Sequence, residues 1–290
     1  MKNLAIVTFV YNESKQLPRW LRHYSKHVES DSDLYIVDHG SDDGSLDHAP
    51  IAVNKIRLTR EDGSERLQAW RAQFIANLTN KLLQEYRAVI YTDCDEYLVV
   101  DPLVSERLCD YINMPNVATN AIGFDVLHDF DKEPPLDSWP ISSIRKNYQF
   151  VAAMCKPAIV LSGHNIVWGS GFHVSNMIPK FGDLYLFHAR YADITEGLDR
   201  LKITREIYNP QLDKAHTNHH KLDDATYINW VLSWLKFKKN FSAITSNSDP
   251  INNFLKEFKF SMGELGLYNY DYSYRSNELF EVPDRFLGKF

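Results

Sequence analysis

The sequence predicts an α/β fold built on a mixed, mostly parallel sheet flanked by helices, and three observations carry that expectation. Short, β-branched apolar runs at 4–10, 34–38, 53–58 and 88–100 alternate with stretches of helical periodicity. Runs so close together with a helix between them are βαβ units, which give parallel strands and a ligand crevice outside their C-terminal ends. The fourth run passes through Asp93-Cys94-Asp95-Glu96, which delivers paired carboxylates to that crevice.

Composition bounds the alternatives. At 290 residues, 44% apolar and 24% charged, the chain can bury one large core or a core with an appendage. A formal net charge of −6 with no long basic run argues against electrostatic capture of nucleic acid or of an anionic membrane. An anionic ligand must then be held locally, by a metal or by a few basic groups. No stretch approaches the roughly 20 apolar residues of a membrane span. The N-terminal run passes straight into Tyr11-Asn12-Glu13 without a small-residue cleavage site, so it reads as a first strand rather than a leader. Cys94, Cys109 and Cys155 are scattered and lack the spacing of a zinc site or a disulfide framework, which favours a reducing, cytoplasmic setting.

After the first strand, Pro18 suits the first turn of a helix carrying Trp20, Leu21, Tyr24 and Val28 inward. The second strand ends at Asp38, and its loop lies beside Tyr11–Glu13. Asp62-Gly63-Ser64-Glu65 has the spacing of a capping box. Behind it Leu67, Trp70, Phe74, Leu78, Leu82 and Tyr86 form the stripe of a long amphipathic helix. In the extended run that follows, Asp93 and Asp95 share a face while Cys94 turns back to the core. Two carboxylates aimed at one spot suit Mg²⁺ or Mn²⁺, hard ions that bridge protein carboxylates to substrate phosphates.

Residues 104–114 read as a helix and 117–126 as a strand, whose apolar run breaks at Asp125, with Asp129 just beyond. From 141 to 167 short runs broken by Pro157, Gly163 and His164 read as antiparallel strands facing a second substrate. In 162–173 the glycines let backbone approach a ligand, and Trp168, near His164 and His173, offers a flat face to a sugar; a turn-rich hairpin is the plainer alternative. A further strand, 184–188, ends in His188, and 194–208 and 223–239 read as helices. On the first of these helices Lys202 and Arg205 can neutralise a diphosphate or simply face solvent, while His216, His219 and His220 read as solvated. The tail with Tyr268, Tyr270, Tyr272 and Tyr274 reads as an arm on the body or on a second subunit.

Four matches in order resemble the inverting, family-2-like glycosyltransferases of the GT-A fold: Tyr11-Asn12-Glu13, Val37-Asp38-His39-Gly40-Ser41-Asp42-Asp43-Gly44-Ser45, the pair Arg66 and Gln73, and Asp93-Cys94-Asp95-Glu96. His188 extends the likeness. The resemblance implies that Thr8, Tyr11 and Glu13 line the nucleotide-sugar site, with Asp38 accepting from the base and Arg66 near base and diphosphate. It places Asp93 by the ribose, Asp95 on a metal, and His188 completing the metal's coordination. A histidine ligand suits Mn²⁺ better than Mg²⁺. Together with the strand pattern, this divides the chain into residues 1–103 as the donor half, 104–215 as the acceptor half of the same domain with His164 and Trp168 on the acceptor side, and 216–290 as a helical extension. His39 departs from the pattern, since an aspartate is usual there. The Glu-Asp doublet that supplies the base in this family is absent, so Asp125 and then Asp129 are the candidates. Gln16-Leu17-Pro18-Arg19-Trp20 matches a string of processive relatives but lies in the first helix and is taken as coincidence.

The implied activity is metal-dependent transfer of a sugar, from a UDP-sugar above all, to a hydroxyl of a glycan or glycolipid precursor, as in polysaccharide or lipopolysaccharide biosynthesis. Two alternatives stand beside it. A phosphatase-like hydrolase also runs a strand into Asp-x-Asp, but prefers Gly-Thr where this chain has Glu96-Tyr97. A non-catalytic nucleotide- or sugar-binding module would have lost its metal residues, which are intact here.

Overall fold

In a computed structural model of the chain, residues 1–59, 67–137, 139–207, 222–244, 249–263 and 265–290 are described. The expected capping box, Arg66 and the histidines at 216, 219 and 220 lie outside the described residues.

The protein is a mixed α/β fold on two sheets. The first contains β1 (Lys2–Val10), β2 (Leu34–Asp38), β3 (Asn54–Arg57), β4 (Tyr86–Tyr91) and β8 (Ile159–Leu161), in the order β3-β2-β1-β4-β8. The first four strands are mutually parallel and β8 runs against β4. Helix α1 (Gln16–Tyr24) covers one face, packing Leu17, Trp20 and Tyr24 on Ile6, Val10 and Ile36. Helix α2 (Leu67–Leu82) covers the other, packing Ala72, Ile75 and Ala76 on Val7, Phe9 and Val37. A strand buried on both faces has no polar side, which is why β1 reads as a continuous apolar run.

The expected stripe of α2 is rotated in the structure. The small residues Ala72, Ala76 and Thr79 face the sheet, and Trp70 is 40% exposed. Small side chains let the helix approach closely, and the bulky ones then line its flank.

The second sheet contains β5 (Glu96–Val100), β6 (Ile122–Leu127), β7 (Asn147–Phe150), β9 (Leu184–Tyr191), β10 (Lys238–Ala243) and β13 (Glu278–Glu281), in the order β10-β13-β7-β6-β9-β5. The β10/β13 and β6/β9 pairs are parallel and the other three antiparallel. Residues 92–95, between β4 and β5, hand the chain from one sheet to the other. The short strands expected between 141 and 167 are β7 and β8, each with an antiparallel partner.

Other expectations shift. Of 104–114 only α3 (Leu108–Tyr111) is α-helical, and the strand expected over 117–126 starts at Ile122, so Asp125 lies inside it rather than at its end. After α4 (Ile194–Ile207) and α5 (Asp224–Leu235), the tail expected to be helical is mixed. It holds α6 (Asp249–Glu257) and the antiparallel pair β11 (Phe260–Met262) and β12 (Tyr268–Tyr270), while β10 and β13 extend the second sheet. Strands this short carry too few residues for a two-residue period to separate them from helix. The tail packs on the body: Phe290 stacks on Phe187 with ring centroids 4.0 Å apart, and Tyr270 donates to the carbonyls of Cys155 and His173 at 3.1 Å. Among the described residues no helix is long and apolar enough to cross a membrane.

Candidate active site

The turn after β1 is held almost entirely by the loop after β2. Asn12 has a φ of 53°, a left-handed conformation that asparagine tolerates better than most residues. The N–H groups of Asn12, Glu13 and Ser14 donate to Ser41 Oγ at 3.0 Å, Ser45 Oγ at 2.8 Å and Asp43 Oδ2 at 2.9 Å. Asn12 and Asp42 exchange a further pair of bonds, at 2.8 and 3.0 Å. The polar run 41–45 thus shapes the turn. Helix α4 clamps the same turn from the other side: Arg200 donates to the Tyr11 carbonyl at 2.7 Å and pairs with Glu13 at 2.9 Å. Burial raises Glu13 to about 7 even with Arg200 beside it.

Thr8 and Asp38, expected at the nucleobase, are both 0% exposed. They follow Ile6 and Ile36 on the face covered by α1. Asp38 accepts the Ser41 N–H at 3.0 Å and pairs with Arg57 at 3.4 Å, so it caps its own turn from within the protein. A base cannot stack on or bond to side chains that have no surface.

The carboxylates come from the turn 92–95. Helix α1 fixes that turn, with Trp20 donating to Thr92 Oγ1 at 3.0 Å and Tyr24 to the Glu96 carbonyl at 2.9 Å, and Cys94 is buried in the core as expected. Asp93 is enclosed by cations: Arg71 of α2 lies 3.5 Å away and Lys156 3.4 Å, while the Tyr91 hydroxyl donates to it at 2.7 Å. Burial would raise its pKa, but Arg71 and Lys156 hold it below the usual value. Lys156 also pairs with the buried Glu96, whose own pKa is raised by burial.

Asp95 faces His188. Its Oδ2 lies 3.5 Å from His188 Nε2, and His188 Nδ1 lies 2.7 Å from Asp125 Oδ1. The other oxygen of Asp125 is held by Arg275 at 2.7 Å. Gln149, Asp125, His188 and Glu96 stand in register across β7, β6, β9 and β5, a polar row spanning four strands. The β6/β9 register slips just after this row, a bulge of the kind that re-aims side chains near sites. Burial works against charge in both Asp95 and His188, yet each holds the other ionised: Asp95 lies below its ordinary value and His188 above.

This pair fits a divalent ion. In the ion pair a proton on His188 Nε2 lies toward Asp95; once it leaves, with the Nδ1 proton still given to Asp125, Nε2 and Asp95 Oδ2 are two acceptors facing each other, which a metal cation satisfies. Their 3.5 Å separation is within reach of one ion bound at about 2.1 Å to each. Among the described residues no group of three or more His, Cys, Asp or Glu is placed to hold an ion by itself. The pair therefore suits an ion completed by substrate phosphate and water, the usual habit of small hard cations.

Other expected residues fall elsewhere. Asp125 is 1% exposed with both oxygens bonded, which leaves no lone pair facing an acceptor and overturns its expected role as base. Asp129 pairs with Lys132 at 2.8 Å on the turn after β6, and its placement has no contact tying it to Asp93 or Asp95 among those described. His164 follows β8, which runs back along β4, so it lies at the edge of the sheet opposite Asp93. Trp168 is 5% exposed, donates to the Pro157 carbonyl at 3.3 Å and packs behind Tyr91, so it has no face for a sugar. Lys202 pairs with Asp199 of its own helix, and Arg205 with Asp224 at the start of α5. Cations among the described residues that do meet the site include Arg71, Lys156, Arg190, Arg200 and Arg275. Arg71 was within reach of sequence reading, since it shares the long helix with the motif residue Gln73; Lys156 and Arg275 carry no local signal.

No protein-family model and no curated protein matches the sequence. Among solved structures there is similarity to S. aureus TarS 1–349, at 14% identity and a TM-score of 0.37, covering 80% of this chain and 70% of that chain. The same protein in complex with UDP-GlcNAc gives 13% and 0.34, covering 80% of this chain and 71% of that one. The mannosyltransferase PcManGT from Pyrobaculum calidifontis, in complex with GDP-Man and Mn²⁺, gives 13% and 0.35, covering 79% and 73%. At these distances the site rests on its own geometry.

Proposed function

We propose that the protein is a metal-dependent, inverting glycosyltransferase that moves a sugar from a nucleotide-diphosphate sugar, a UDP-sugar above all, to a hydroxyl of a glycan or glycolipid precursor. The observation that carries this reading is the facing pair of Asp95, beyond the C-terminal end of β4, and His188 of β9, braced by Asp125 of β6. A bound Mn²⁺ or Mg²⁺ would offset the charge that develops on the leaving diphosphate. Asp95 and His188 would hold it, and Asp93, fixed by Arg71 and Lys156, would present its carboxylate to the ribose. Arg200 keeps the Tyr11–Glu13 turn closed against α4, which sets the floor on which the donor lies. With Asp125 committed to His188, the acceptor's proton goes to a different group.

The test is a thermal-stability screen of nucleotide diphosphates and nucleotide sugars with and without Mn²⁺. A ligand that binds only the folded state at a hundredfold excess over its dissociation constant adds about 2.7 kcal/mol. Stabilisation by at least one nucleotide sugar, lost in chelator, is the expected result. No stabilisation by any of them would overturn the reading.

A further inference from the structure

We infer that Asp125 and Arg275 are positioning residues that fix His188 with its Nδ1 proton turned inward and Nε2 turned to Asp95, so that the C-terminal segment completes the metal-binding end of the site. The inference rests on the proposed function only for what His188 binds, and its geometric part stands alone.

Three observations converge on it. Asp125 is almost wholly buried, yet it is an acidic residue in the middle of a strand whose neighbours Phe124 and Val126 are core residues. A charge in that position is destabilising unless both its oxygens are engaged, and they are, by His188 at 2.7 Å and Arg275 at 2.7 Å. Arg275, from the segment between β12 and β13, is itself held by two further contacts. It donates to Gln149 Oε1 at 2.7 Å, and its guanidinium lies 4.4 Å from the Trp234 ring of α5. Finally, the row Gln149, Asp125, His188 spans three adjacent strands in register, so the orientation of the imidazole is set by the sheet and not by a mobile loop.

The donor and acceptor inventory then fixes the imidazole. Arg275 can only donate, so the oxygen it holds must be an acceptor, and Asp125 has one acceptor left, which His188 can meet only by donating from Nδ1. Partners behind a metal-bound imidazole of this kind fix its tautomer, and losing them costs about 10–100-fold in metal affinity. An amide at 125 reverses the arrangement. Its carbonyl goes to Arg275 and its NH₂ to His188, so Nδ1 must become the acceptor and the proton moves to Nε2, where it blocks an ion. A carboxylate-to-amide exchange behind a catalytic imidazole is known to act in this way.

Nitrogen-15 imidazole spectra of the full chain read the proton directly, with His188 assigned by its loss in His188→Gln. Wild type should show a protonated Nδ1 and Asp125→Asn an unprotonated one. Electron-spin-resonance titration with Mn²⁺ in the presence of UDP should show affinity falling at least tenfold in Asp125→Asn and Arg275→Gln, with most of it restored in Arg275→Lys. Should Asp125→Asn not fold, the Arg275 pair decides alone. Unchanged Nδ1 protonation and unchanged Mn²⁺ affinity in these variants would overturn the inference. If wild type binds no Mn²⁺, the metal reading fails while the imidazole spectra still decide the positioning roles.

Discussion

At the scale of the residue, Asp95 joins sequence to chemistry most directly. Its side chain is on a turn and contributes to no hydrophobic cluster but faces His188 at 3.5 Å, so Asp95→Asn should leave the chain folded, at a cost of about 0.5–3 kcal/mol, while abolishing metal-dependent transfer. Assays of turnover beside denaturant melts check both halves; near-normal turnover in Asp95→Asn at low Mn²⁺ would contradict the role. A second residue reports on pH. His23 is fully buried in α1, its Nε2 3.0 Å from the Leu98 carbonyl and its Nδ1 without a partner. Burial lowers it to about 4. The unfolded chain takes up that proton near pH 6.5 and the folded chain does not, so stability is complete above about 6.5 and drains away as pH falls toward 4. Urea midpoints across that window should fall less steeply for His23→Gln than for wild type, and parallel slopes would refute the assignment. Both acidic motif residues were legible because their spacing is local. Of the cations around them, Arg71 shares the long helix with Gln73, but Lys156 and Arg275 reach the site from separate segments that carry no local signal.

At the scale of the element, the register of β6 decides more than its existence. A strand was expected over 117–126, and the shorter β6 places Asp125 in mid-strand, which turns an exposed base into a buried brace. The apolar run alone could not show this, since it fixes neither where pairing starts nor which face looks toward His188. The same strand contains a close approach: a Cβ built on Gly123 would lie 2.2 Å from the Met154 carbonyl carbon and 2.4 Å from its oxygen. Backbone cannot give way as a side-chain tip can, so Gly123→Ala should cost about 1–3 kcal/mol. An unchanged urea midpoint would show that the 152–154 segment shifts freely. Helix α2 teaches the complementary lesson. Its periodicity identified a helix, but its docking face follows the small residues Ala72 and Ala76, which a hydrophobicity pattern ranks below Trp70 and Phe74.

At the scale of the whole molecule, the parallel half was legible and the second sheet was not. Strands β1, β2 and β4 are apolar runs separated by helices, so local pattern and topology agree. The second sheet is assembled from β5 through β13, and its pairings join residues as distant as Tyr148 and Phe280, which no local signal announces. That long-range closure also brings Arg275 to Asp125, so the tail belongs to the site as much as to the core. The net charge of −6 sharpens the functional question, because Arg71, Lys156, Arg200 and Arg275 are already paired with carboxylates of the site, which leaves a diphosphate in need of a further cation. Calorimetric titration of the intact protein with UDP, in Mn²⁺ and in chelator, tests that requirement most directly. The expected result is binding in Mn²⁺ that weakens by at least tenfold in chelator and in His188→Ala; equal affinity with and without the metal would contradict the central claim.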